Sequence, residues 1–123
     1  MTITVLAIDD SRTMRSMVHR ALDAAGFTCE VAEDGIEGVR RFDELRPDVV
    51  ITDINMPRMD GFGVIESIRK DPANRSVPIL VLTTETAPEF KARARTAGAT
   101  GWIVKPFDDQ SFVQVVRRVT GGE

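Results

Sequence analysis

Three observations predict an α/β fold built on a doubly wound, five-stranded parallel sheet with five helices. Short apolar runs alternate five times with segments of helical periodicity. The first, third and fourth runs are continuously apolar, as expected of strands buried on both faces. The second carries Glu30 in its middle and alternates, which marks an edge. A strand order of 2-1-3-4-5 agrees with this pattern. It places strands 2 and 5 outside and a topological switch point between strands 1 and 3, where ligands bind beyond the carboxyl ends.

Ile3–Ile8 reads as the first strand. Met14, Met17, Val18, Ala21, Leu22 and Ala25 then recur on one helical face, and Gly26 ends that helix. Thr28–Ala32 is the second strand. Ile36, Val39, Phe42 and Leu45 mark a second helix, stopped before Pro47. Val49–Thr52 is the third strand. Phe62, Val64, Ile65 and Ile68 give a third helix, with Asp60 as a candidate cap and an end near Asp71-Pro72. Ile79–Leu82 is the fourth strand. A fourth helix runs from Pro88 to Ala97, with the proline in its first turn and Gly98 closing it. Trp102–Val104 is the fifth strand, and Phe112, Val115, Val116 and Val119 place the fifth helix. Cys29 reads as a small buried strand residue, and His19 lies off the apolar face of its helix.

Composition narrows the function classes. The 123 residues are the length of one domain, 1–123, and leave no room for a second folded one. A net charge of −3, from 19 acids and 16 bases, argues against general binding to nucleic acid or to an anionic membrane. One cysteine excludes an intrachain disulfide and a thiolate zinc cluster. The first apolar stretch has no basic flank and stops at two aspartates, unlike a signal peptide. A cytoplasmic monomer is the expectation.

Four polar features fall at the carboxyl ends of strands: Asp9-Asp10, Asp53, Thr83-Thr84 and Lys105 before Pro106. A parallel sheet gathers those ends on one edge, so all four can share a pocket. Gathered carboxylates repel, and a hard divalent cation removes the repulsion. Oxygen ligands suit Mg²⁺ or Mn²⁺ better than zinc. One of Asp9 and Asp10 is also a natural cap for the first helix, but capping does not account for a second adjacent acid facing Asp53. Lys105 is one of only three lysines against thirteen arginines. At the end of a buried strand its ammonium needs a partner, and the carboxylates of the same edge supply one. The loop Asp53-Ile54-Asn55-Met56-Pro57 leads into Met59-Asp60-Gly61, and Asn55 has a carbonyl to offer a metal.

Together these residues resemble the response-regulator receiver family over essentially the whole chain. The resemblance rests on Asp9-Asp10, Asp53 with Asn55-Met56-Pro57 and Met59-Asp60-Gly61, Thr83, and Lys105-Pro106-Phe107. Thr13-Met14-Arg15 and the stretch from Gly98 to Phe107 are similar to chemotaxis receivers of the CheY type. The resemblance implies a flavodoxin-like fold and a phosphoacceptor role for Asp53 in a two-component system. It implies Mg²⁺ held by Asp10, Asp53 and the Asn55 carbonyl, with Asp9 supporting it directly or through water. Lys105 would stabilise a phosphoryl oxygen, Thr83 would bind the phosphoryl group after transfer, and Trp102 would be the aromatic switch residue on strand 5. The implied partners are a chemotaxis-type histidine kinase and a flagellar motor switch protein. Such a domain is not an enzyme; it catalyses only its own phosphotransfer and dephosphorylation.

Bland readings stand beside these. Trp102 also fits plain core packing, and the basic fourth helix, with Lys91, Arg93 and Arg95, also fits a solvated face. The best-known motor binders carry paired lysines soon after the position of Glu85, where this chain has Thr86-Ala87-Pro88. A phosphate sink or phosphorelay receiver without motor contact therefore remains the alternative. A flavodoxin needs a phosphate loop where this chain has two acids, which would repel phosphate. An aspartyl-phosphate phosphatase generally has a second Asp two residues after the nucleophile, where Asn55 stands.

Overall fold

A computed structural model describes residues 2–121. The elements are β1 Thr4–Ile8, α1 Arg12–Ala24, β2 Thr28–Ala32, α2 Gly35–Leu45, β3 Val49–Thr52, α3 Gly61–Arg69, β4 Ile79–Thr83, α4 Pro88–Ala97, β5 Gly101–Val104 and α5 Asp109–Val119. All strands are parallel and their order is β2-β1-β3-β4-β5. The chain thus has the doubly wound, flavodoxin-like architecture that the alternation predicts.

Side chains of a strand point alternately to its two faces, so a sheet buried on both sides builds two cores. Val5, Ala7, Val49, Ile51, Leu80 and Leu82 face Val18 and Leu22 of α1 and Phe112 and Val116 of α5. Leu6, Ile8, Val50, Ile79 and Val81 face Phe42 of α2, Ile65 and Ile68 of α3 and Ala94 of α4. The continuous apolar runs of β1, β3 and β4 are the residues these cores share between them.

Helix starts follow local chemistry. Asp34, Asp60 and Asp108 accept backbone N–H bonds from Glu37, Gly63 and Ser111 at the starts of α2, α3 and α5. Helix α4 lacks a side-chain cap; Pro88 opens it and Gly98, at φ 115°, closes it.

Several expectations are corrected. Met17 is 38% exposed because it lies roughly 100° round the helix from Val18, at the flank of the buried stripe. Ile36 is 48% exposed; the inner face of α2 opens on Gly35 and Gly38 instead. Ile8 takes up that space, since a Cβ on Gly38 would stand 2.5 Å from Ile8 Cδ1. Strand β5 is not buried: it is a half-exposed edge, and Val104 is 39% exposed. A short 3-10 turn, Pro72–Asn74, follows α3 with Asp71 as its cap. Cys29 is buried as expected, and burial, followed by the charges of Glu30 and Asp23, pushes its thiol up to about 12. His19 is exposed. No helix among the described residues is long and apolar enough to cross a membrane.

Candidate functional site

Each acid is placed by a backbone bond that carries the sheet ladder one residue past its strand. Asp9 N–H donates to Ala32 O at 3.0 Å, and Asp53 N–H donates to Ile8 O at 3.0 Å. Lys105 N–H donates to Thr83 O at 2.8 Å in the same way. The switch point between β1 and β3 therefore sets Asp9 and Asp53 side by side, with Lys105 reaching across from β5.

Lys105 Nζ donates to Asp9 Oδ2 and to Asp53 Oδ2, each at 2.8 Å. The other oxygens are also engaged: Asp9 Oδ1 accepts Ser11 N–H at 2.9 Å, and Asp53 Oδ1 accepts Ile54 N–H at 2.6 Å. Asp9 and Asp53 are buried, Asp10 is exposed, and the Lys105 side chain is 9% exposed. Burial raises the Asp9 pKa; the Lys105 ammonium and the Ser11 N–H oppose this without cancelling it. Burial also pulls the Lys105 ammonium down, but its two carboxylate partners outweigh that and leave its pKa raised. The lysine is thus a fixed counter-charge to the acids.

Asp9, Asp10 and Asp53 each offer an oxygen, and the three atoms lie within 4.8 Å of one another. This donor set fits a small hard cation: all ligands are carboxylate oxygens, and exposed Asp10 leaves a side open for retained water. Neither aspartate caps α1. Ser11 does so, its hydroxyl accepting Met14 N–H at 3.2 Å, and this leaves the acid pair to the pocket.

Thr83 is fully buried at the end of β4, and its Oγ1 accepts Glu85 N–H at 3.3 Å. Trp102 Nε1 donates to Glu85 O at 3.1 Å, and its ring packs against the core under α2, α3 and α4. Asn55 is exposed and its Nδ2 donates to Glu85 Oε2 at 3.0 Å. Glu85 therefore ties together Thr83, Trp102 and the loop after Asp53. The sequence does not reveal this, because two of the three bonds use its backbone. Arg15, which the sequence marks only within Thr13-Met14-Arg15, donates its Nη1 to Asp9 O at 2.7 Å and braces the acid from α1.

Gly61 fixes the far end of the Asp53 loop. Its N–H donates to Ile54 O at 2.8 Å, and a Cβ there would run into Asp53 O and stand 2.9 Å from Ile54 Cα. Backbone atoms cannot yield as a side-chain tip does. Gly61→Ala is expected to destabilise the fold by about 1–3 kcal/mol, read as a lower urea midpoint. An unchanged midpoint would show that the loop has slack the packing does not suggest.

Residues 5–117 match the response regulator receiver domain, and the chain belongs to that family. A receiver domain is a phosphoacceptor signalling module of two-component systems rather than a conventional enzyme. Among solved structures, the chain is similar to the chemotaxis response regulator CheY4 of Vibrio cholerae, with 43% identity and a TM-score of 0.92. That likeness covers 97% of this chain and 99% of CheY4. It is also similar to the receiver domain of a Pseudomonas aeruginosa sensor histidine kinase, solved with a magnesium ion coordinated in the active-site cleft. There the identity is 25%, the TM-score 0.90, and the cover 98% of this chain and 99% of the other. Response regulator MprA of Mycobacterium ulcerans is 36% identical over 107 residues, which is 87% of this chain and 45% of MprA. The chain spans about half the length of the curated relatives it matches.

Proposed function

We propose that Asp53 accepts a phosphoryl group from a phosphohistidine of a chemotaxis-type histidine kinase, and that the modified domain binds a flagellar motor switch protein. The observation that carries this reading is Lys105 Nζ at 2.8 Å from both Asp9 and Asp53, with Asp10 completing an acidic cluster beside them. An Asp53 carboxylate oxygen attacks phosphorus, the P–N bond breaks, and its electron pair returns to the histidine ring. The product is an acyl phosphate. Asp9, Asp10 and Asp53, with the Asn55 carbonyl, are the groups that would hold Mg²⁺; the magnesium-bearing Pseudomonas receiver supports that choice of ion. When bound, the cation neutralises the acids and draws negative charge from the phosphoryl oxygens. Lys105 would meet a further phosphoryl oxygen and supply positive charge there. These are the domain's own groups, so they also serve the later hydrolysis of the acyl phosphate.

Thr83 would leave Glu85 N–H and donate its hydroxyl to the phosphoryl group. Because the Glu85 carbonyl also holds the Trp102 indole, that exchange shifts the whole β4–α4 connection. The phosphoryl group then selects the state it binds better. The similarity to CheY4 supports a chemotaxis setting, and Lys91 and Arg95, on the β5 side of α4, suit an acidic partner segment, while Arg93 stacks on Phe62 of α3. Thr86-Ala87-Pro88, in place of paired lysines, favours the second reading of a phosphate sink or relay receiver. The domain is proposed to be cytoplasmic and monomeric, with its output passing through a partner.

Incubation with acetyl phosphate, followed by intact-mass measurement, tests the chemistry. One phosphoryl group is expected with Mg²⁺ and none after chelation. Trp102 emission, from the only tryptophan, should change in step with that mass. Unchanged emission would return Trp102 to a packing role.

A further inference from the structure

Asp34 is a buried carboxylate, 5% exposed, that the chemistry above does not use. Its Oδ1 caps α2 by accepting Glu37 N–H at 2.8 Å. Among the described residues its Oδ2 faces a single cation, Arg58, whose Nε lies 3.4 Å away on a side chain that is 69% exposed. Arg58 sits in the loop that follows Asp53, at φ 70°, a left-handed conformation that strains any residue with a Cβ. Met59 N–H donates to Pro57 O at 2.8 Å around it, so Pro57-Arg58-Met59 form a tight γ-turn. Glycine would relieve the strain but would leave the Asp34 carboxylate without its cation.

Met56 and Met59 pack this loop against the core, and Met59 abuts Gly35 at the start of α2, but the loop's polar side-chain ties are few. From Asn55 to Arg58 the side-chain polar ties to the rest of the described chain are Asn55 to Glu85 and Arg58 to Asp34. The first belongs to the β4–α4 connection, which is proposed to move. The second belongs to the start of α2, a fixed element.

We propose that the Arg58–Asp34 pair is a clasp that anchors the β3–α3 loop to the N-terminus of α2, making Arg58 a positioning residue for phosphoryl acceptance at Asp53. The inference rests on the phosphoacceptor reading for its functional half only. The clasp holds the loop whose backbone carries Asn55, while the Asn55–Glu85 tie is released and remade. An exposed pair at 3.4 Å is weak and screened by salt, which suits a contact that biases the loop rather than locks it.

Arg58→Ala keeps the strained turn and removes the cation. In the metal-free protein it should speed exchange at the amides of residues 55, 56, 58 and 59 about threefold, and it should slow phosphoryl uptake from acetyl phosphate by a similar factor. Arg58→Lys, which keeps the charge, should recover most of both. Asp34→Asn keeps the helix cap, so adding Arg58→Ala to it should change little further. Wild-type exchange in Arg58→Ala, or full additivity with Asp34→Asn, would overturn the clasp. Faster exchange with unaltered uptake would overturn the positioning role. If the wild type takes up no phosphoryl group, the phosphoacceptor reading fails, and the exchange comparison still decides whether the clasp exists.

Discussion

Asp53→Asn is expected to reduce phosphoryl uptake from acetyl phosphate to the level seen without Mg²⁺. An amide has the size of the carboxylate but no charged oxygen to attack phosphorus. The fold should survive the change. The Asn carbonyl can accept either the Ile54 N–H or the Lys105 ammonium, though not both, and Lys105 keeps Asp9 at 2.8 Å. Loss of one salt bridge is offset only in part by relief of the repulsion between Asp9 and Asp53. A far-UV spectrum and urea midpoint close to wild type, with no mass gain, are the expected pair of results. Labelling near the wild-type rate would move the acceptor to Asp9 or Asp10.

Lys105→Met should have the largest effect on stability. The methionine fills similar space but removes the ammonium that pairs with both buried acids. Breaking a buried ion pair from one side leaves the other charge uncompensated, which costs about 3 kcal/mol. The variant's urea midpoint should therefore fall sharply in chelator. Millimolar Mg²⁺ should restore part of the loss, and more than it adds to wild type, because it replaces the missing positive charge. Uptake at saturating Mg²⁺ should remain on the order of a hundredfold slower, since one donor to the transferring group is gone. Wild-type stability in chelator would mean that the acids are neutralised by some means other than Lys105.

Much of this arrangement was legible in the sequence because parallel sheets impose it. Once five strands alternate with helices, their carboxyl ends share an edge, and Asp9, Asp10, Asp53 and Lys105 meet there, with Thr83 at the end of β4 on the same edge. Helix α4 was readable to the residue, from Pro88 to Gly98, since proline and glycine act through their own backbones. What stayed hidden depends on tertiary geometry. Ile36 points outward because the inner face of α2 is formed by Gly35, which abuts Met59, and Gly38, which sits on Ile8. Ser11 rather than an aspartate caps α1, a choice between adjacent capping residues that only the backbone path decides. Arg15 and Glu85 act through main-chain carbonyls and amides, where side-chain identity carries little signal. Nothing in an arginine announces a left-handed backbone, so the Arg58–Asp34 contact could not be read from its residues.

The most direct test of the central claim is to locate the phosphoryl group. The wild-type protein is incubated with acetyl phosphate and Mg²⁺, the acyl phosphate is reduced with borohydride, and the modified residue is identified by peptide mass spectrometry. The account predicts reduction at Asp53 alone, and none after chelation of the cation. Modification at Asp9 or Asp10, or labelling of Asp53 that persists without a divalent cation, would contradict it.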